Sequence, residues 1–253
     1  MDQERLKDAL GAAVTGAPTP LAAADSLCAA CVQLLDVDGA SISFIDGGGT
    51  MQGTFGSSGQ LSRTLDELQF TYGQGPCLEA VTQHRPILAP DLDSSGEDRW
   101  PALTQAMLGY GIHAVFALPV TVASTTIGAL DLYRRRSGPL DEAAMTGGVW
   151  AAGLAALPLL DLMTSATDWQ KATEGQGSWD QLASLERVEV YQATGMVVAA
   201  LEIPPAEALL RLRAHAISLS LTASEVAFQI LDRRLVLDQD DWHETGGDQE
   251  GGT

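Results

Sequence analysis

The chain has 253 residues, 45% of them hydrophobic and 19% charged, enough for one large domain or two ordinary ones, and this excludes disorder of the whole. Fourteen Lys and Arg against 33 Asp and Glu leave a formal net charge of -19, which argues against non-specific DNA binding because the molecule repels polyanions. MDQERLKDAL at the start has no apolar secretory core, and GGVWAAGLAALPLL (147–160), the longest uncharged apolar stretch, is broken by Pro158 and shorter than the roughly 18 residues a spanning helix needs, so no membrane partner is expected.

Residues 1–17 are set aside as an N-terminal extension. Thr19 then supplies a helix cap and Pro20 a first helical residue, with apolar positions at Ala24, Leu27, Cys28, Cys31 and Leu35. GASISFID (39–46) and TMQGTFG (50–56) read as two strands joined by a turn at Gly47, Gly48 and Gly49. In YGQGPCLEAV (72–81) the glycines permit a tight turn and Pro76 opens a short helix. RPILAPDL supplies a third strand, and Pro101 begins a helix stopped by Gly109 and Gly111. GIHAVFALPVTV and TTIGALDLYRR are two further strands, followed by a long helix in PLDEAAMTGGVWAAGLAALPLLDLM. Too few βαβ units are present for a doubly wound sheet, so the expected class is α+β, an antiparallel sheet with packed helices.

Residues 163–179 are polar and read as a linker. Beyond it the pattern is all-α: a helix from about Asp180 to Leu201, a break at Pro204 and Pro205, a second helix to about Leu219, and a third opened by Thr222-x-x-Glu225, a capping box. Val188, Tyr191, Gly195 and Val198 are expected to form one packing stripe of the first helix, Leu209, Leu212, Ala216 and Leu219 that of the second, and Val226, Ala227, Ile230 and Leu231 that of the third. The tail 238–253, with six acids and no Lys or Arg, is expected to be disordered.

GQGPCLEAV, RPILAPDL, RWPAL, FALPVTV and TIGALDLY, in that order, resemble the GAF domain of actinobacterial regulators over residues 18–162. RVEVYQATGMVVAALEIPPAEALLRLRAHAISLSLTASEVA resembles the ANTAR domain, a three-helix RNA-binding module of transcription antitermination, over residues 180–237. The resemblance implies a GAF-type antiparallel sheet followed by an ANTAR three-helix bundle, acting as a signal-responsive RNA-binding antiterminator. It further implies paired hairpin loops in leader transcripts as the partner and a homodimer, for which helices 139–163 and 180–201 are the expected contacts because their apolar faces exceed what a single small bundle needs to bury. The alternative is a GAF small-molecule or redox sensor whose helical module mediates association without RNA.

By position or exposure the RNA-binding candidates are Arg187, Gln192, Ala193, Thr194, Gly195, Arg211, Arg213 and His215. ANTAR domains typically place a lysine where this chain has Thr194. Five arginines and six acids in residues 183–237 make any phosphate attraction modest and salt-sensitive. A GAF ligand pocket, its cofactor or ligand unknown, is expected near Phe44, Phe70, Tyr72, Cys77, Leu78, Trp100, Phe116 and Leu130. The cyclic-nucleotide pattern and the Cys/His pair of bilin attachment are absent from the sequence.

Three cysteines without an export signal point to a reduced, cytoplasmic setting, and the four scattered histidines offer no metal-ligand spacing. Cys77, next to a helix start, is expected to be the more reactive thiol if exposed, ahead of Cys28 and Cys31. No nucleophile elbow, P-loop or dinucleotide fingerprint is present, so no enzymatic activity is expected.

Overall fold

The computed structural model describes residues 2–45, 51–166 and 187–237. The turn expected at Gly47–Gly49, most of the linker, the first residues of the helix expected from Asp180, and the acidic tail lie outside the described residues. The chain divides into two compact units, Met1–Arg187 and Val188–Thr253.

The first unit runs α1 (Gln3–Thr15), α2 (Pro20–Leu34), β1 (Gly39–Ile45), β2 (Met51–Ser57), α3 (Gln60–Tyr72), α4 (Pro76–Gln83), β3 (Ile87–Ala89), α5 (Pro101–Gly109), β4 (Ala114–Val122), β5 (Thr125–Arg134) and α6 (Glu142–Ala166). Thr19 caps α2 as expected, its hydroxyl accepting from the Ala22 amide at 3.2 Å. The five strands form one antiparallel sheet in the order β2-β1-β5-β4-β3, with β5 at its centre.

Strand alternation divides the domain into two layers of different chemistry. One face carries Ala40 and Ile42 of β1, Phe116, Leu118 and Val120 of β4, and Leu130 and Leu132 of β5, packed with α1, α2 and α6 into the apolar core. On β1 and β5 the opposite face carries Ser41, Ser43, Asp131 and Tyr133, all fully buried. Helices α3 and α4 cover that side of the sheet.

Two elements depart from the sequence expectation. The extension 1–17 contains α1, whose Leu6 and Leu10 are buried in the apolar core. Helix α3 was not expected at all: of its seven buried residues, four, Ser62, Asp66, Gln69 and Thr71, are polar. The last long helix, α6, reaches 25 residues. By length and composition its Glu142–Asp161 stretch could cross a membrane, yet half of it is buried, with Ala151, Ala152, Ala155 and Leu159 in the core.

The second unit comprises α7 (Val188–Leu201), α8 (Pro205–Ser218) and α9 (Ala223–Leu231). The capping box at α9 is present in both directions: Glu225 N–H donates to Thr222 Oγ1 at 3.2 Å, and Thr222 N–H donates to Glu225 Oε2 at 2.8 Å. The buried face of α7 is Val190, Ala193, Thr194, Val197 and Leu201, not the expected stripe through Val188, Tyr191, Gly195 and Val198. Tyr191 and Gly195 are exposed, and among the described residues a Cβ at Gly195 would meet nothing within 4 Å, so no described helix packs closely there. On α8 the core residues are Ala208, Leu212 and Ala216, with Leu209 half-buried and Leu219 exposed. On α9, Val226, Ala227 and Ile230 are buried as expected and Leu231 is half-buried.

Candidate functional site

The most unusual feature of the first unit is a polar cluster between the sheet and helices α3 and α4. Asp131 stands on the central strand, directly opposite Ser41 of β1, and is fully buried. Its Oδ2 accepts from Gln69 Nε2 at 2.5 Å and from the Tyr133 hydroxyl at 3.3 Å, while Oδ1 is buried with no hydrogen-bond partner. Gln69 is held at its other end, where Oε1 accepts from the Cys77 backbone N–H at 3.0 Å. Gly75 makes this possible: its φ is +148°, and a Cβ there would run into the Gln69 carboxamide and Leu103.

Asp66, also fully buried, forms the second half of the cluster. Ser43 Oγ donates to its Oδ1, and Thr54 Oγ1 donates to its Oδ2 at 2.5 Å. Arg187, the last residue of the first unit, closes this half, with Nη2 3.5 Å from Asp66 Oδ2 and Nη1 3.4 Å from Glu67 Oε1. The Arg187 guanidinium stacks over the Phe70 ring at 4.3 Å.

Burial dominates the electrostatics. Loss of hydration pushes the Asp131 carboxyl up to about 8, and the neighbouring Asp66 carboxylate adds to the rise. Asp66 is also raised by burial, against the opposing pull of Arg187, Ser43 and Thr54. Two carboxyl groups in one dry site do not ionise together readily, so near neutrality Asp131 keeps its proton, while Arg187, Ser43 and Thr54 favour the charged form of Asp66 against its burial.

The expected pocket residues do not converge. Phe116 and Leu130 lie in the apolar core and Phe44 packs against it, on the opposite face of the sheet from α3 and α4, because alternate strand residues face opposite sides. Phe70 and Cys77 lie beside the polar cluster: Phe70 under Arg187, and Cys77 close enough to the two carboxyls to feel their charge. Trp100 is buried, its Nε1 donating to Glu79 at 3.2 Å, and Tyr72 and Leu78 are half-buried.

Cys77 is not the exposed thiol considered from sequence. It is fully buried, and burial first, then Asp131 and Asp66, raise its thiol well above the ordinary value. Cys28 and Cys31 are likewise fully buried in the apolar core, with burial raising Cys31 to about 12. A helix N-terminus is too weak to ionise a thiol that has lost its water. Among the described residues no group of three His, Cys, Asp or Glu side chains is gathered to hold a metal ion.

The RNA-binding candidates are likewise dispersed. Arg187, expected as a helix-face cation, is 7% exposed and committed to Asp66, Glu67 and Phe70. Ala193 is fully buried, and Thr194 is buried with its hydroxyl donating to the Val190 carbonyl at 2.7 Å. Gln192 and Gly195 are exposed. Arg211 is half-buried and paired with Glu207 at 2.9 Å, and Arg213 and His215 are half-buried.

The site residues that sequence reasoning missed are Asp66, Gln69, Asp131, Tyr133, Ser43 and Thr54. Asp131 carries a readable signal, a lone acid in the apolar strand TTIGALDLY at the register of inward positions. Asp66 carries none, since an acid in a run such as LSRTLDELQ normally faces water.

A central five-stranded antiparallel sheet with helices on both faces and a polar layer enclosed on one side defines a small α+β domain. The family model for the GAF domain matches residues 18–153, and the chain belongs to that family. The GAF domain of a phosphoenolpyruvate-protein phosphotransferase from Acinetobacter is similar over 65% of this chain and 98% of its own, at 13% identity and a TM-score of 0.51. The corresponding GAF domain from Coxiella burnetii is similar over 65% and 96%, at 17% identity and a TM-score of 0.51. At those identities the likeness concerns the fold alone. No curated protein sequence matches the chain.

Proposed function

We propose that the chain is a signal-responsive regulator in which the GAF domain receives a small molecule or other signal and the C-terminal three-helix unit binds RNA as an ANTAR-type antitermination module. The observation that carries this reading is the sequence run 187–227, which resembles that module and coincides with three short helices broken at Pro204–Pro205 and restarted by a capping box. Exposed Tyr191, Gln192, Gly195 and Met196 on α7 support it, because they offer a stacking ring, an amide and an approachable backbone to an unpaired base. The partner is paired hairpin loops in a leader transcript, met by a homodimer in the cytoplasm. In this reading Tyr191 and Gln192 carry the contact, while Ala193 and Thr194 shape the helix from within and Arg187 serves the GAF domain.

Binding of a labelled two-hairpin RNA, against a stem-matched control with scrambled loops, at low and moderate salt tests it. The expected result is loop-dependent binding that weakens as salt rises and falls roughly tenfold in Tyr191→Ala, as expected for loss of one stacking platform. Equal binding to both RNAs, or none to either, overturns it.

A second reading, association through the helical unit without RNA, is favoured by a specific observation. Leu210, Leu219, Phe228 and Val236 are large apolar side chains between 51% and 66% exposed, and such surface suits a protein partner. In that case self-association or partner binding holds or strengthens as salt rises.

A further inference from the structure

We propose that the enclosed polar cluster of the GAF domain is a binding site for a small guanidinium compound, and that the Arg187 side chain occupies it as an intramolecular stand-in. The proposal deepens the sensory reading of the GAF domain and names its ligand class. It does not depend on RNA binding.

The cluster has the parts a guanidinium site needs. A buried carboxylate, Asp66, is fixed by two hydroxyl donors, Ser43 and Thr54, so its orientation is set before any cation arrives. Phe70 supplies an aromatic face, and Glu67, half-buried on the next residue of α3, supplies a second carboxylate.

Arg187 uses these parts poorly. Its two carboxylate contacts, at 3.5 and 3.4 Å, are longer than charge-assisted hydrogen bonds, which fall at about 2.7–2.9 Å. Among the described residues its Nε and Nη2 are buried without a hydrogen-bond partner. A guanidinium with five donors that has surrendered its water is costly unless those donors are met. A free alkylguanidinium can seat its planar fork squarely on Asp66, because no main chain constrains its approach. Such a ligand competes with Arg187, and its measured affinity is reduced by the fraction of time Arg187 fills the site.

Titration of the full-length chain with n-butylguanidinium, by calorimetry and by the shift in thermal midpoint, tests the site without RNA. N-butylammonium and butylurea serve as charge and shape controls. Saturable binding of n-butylguanidinium is expected, at least tenfold tighter in Arg187→Ala than in the unaltered chain, with butylurea inactive. Asp66→Asn is expected to abolish it in either background. Arg187→Met, which fills the same space with an apolar side chain, provides the vacated-cation background if Arg187→Ala does not fold. Absence of saturable binding in the unaltered chain and in whichever Arg187 variant folds, or binding that survives Asp66→Asn, overturns the proposal. Failure here leaves loop-dependent RNA binding as a separate result.

Discussion

Asp131 is buried on the central strand among apolar neighbours of the sequence TIGALDLY, and its chemistry can be read by pH. The folded carboxyl keeps its proton up to about 8, whereas the unperturbed group releases it at 3.8. Folding therefore takes up a proton between those values, and the native state loses stability as pH rises through that window, at most about 1.4 kcal/mol per pH unit from this group. Asp66, Cys77 and Tyr133 surround it, and all three are themselves raised by burial. Asp131→Asn keeps the shape and cannot titrate. Urea unfolding at pH 5 and pH 8 should show the unaltered chain losing more stability between the two than the variant, and equal losses would place the proton elsewhere. The same dryness that holds this proton keeps all three cysteines protonated, which leaves the C-x-x-C of α2 as two small core side chains.

At the scale of elements, the strands and the helices with clean punctuation were readable from sequence: Thr19-Pro20, Pro76, Pro101 and Thr222-x-x-Glu225 each mark an observed helix start. Helix α3 was not readable, because Ser62, Asp66 and Gln69 interrupt its buried apolar residues Leu65, Leu68 and Phe70, and hydrophobic periodicity turns such polar residues toward water. The site was hidden for the same reason, since it is made of those residues. The stripe of α7 was misplaced because Val188, Tyr191 and Val198 are as apolar as Val190, Ala193 and Val197, so composition alone left the helix rotation open. Gly75 ties α3 to α4 through Gln69, and Gly75→Ala should cost more than about 1 kcal/mol, since φ is strained for alanine and the new Cβ collides with Gln69 and Leu103. Chemical denaturation measures this, and an unchanged midpoint would mean that Gln69 is not held as described.

At the scale of the molecule, the exposed seam of α6 bears on assembly. Val149 and Leu157 are 51% and 59% exposed, and Gly153 between them leaves room for another backbone. The spacing of four places all three on one face of the helix, a geometry suited to a two-fold contact between identical helices. Light scattering at micromolar concentration should report a dimer, and Leu157→Glu should shift it toward monomer without unfolding it. A monomer in the unaltered chain would leave the seam to another partner.

Helix α1 sets a limit on how the domain can be cut out. The span matched by the family model starts at residue 18 and stops at 153, inside α6. A fragment with those ends would strip Leu6 and Leu10 from Leu35 and Gly147, where α6 lets the neighbouring helices approach so closely that a Cβ would strike both Leu35 and Leu6. It would also remove Ala155 and Leu159, which fill the same layer. The smallest excised piece that keeps its own oily side covered begins near Gln3 and retains α6 through Leu159. Even that piece lacks Arg187, and with it the cation that offsets Asp66.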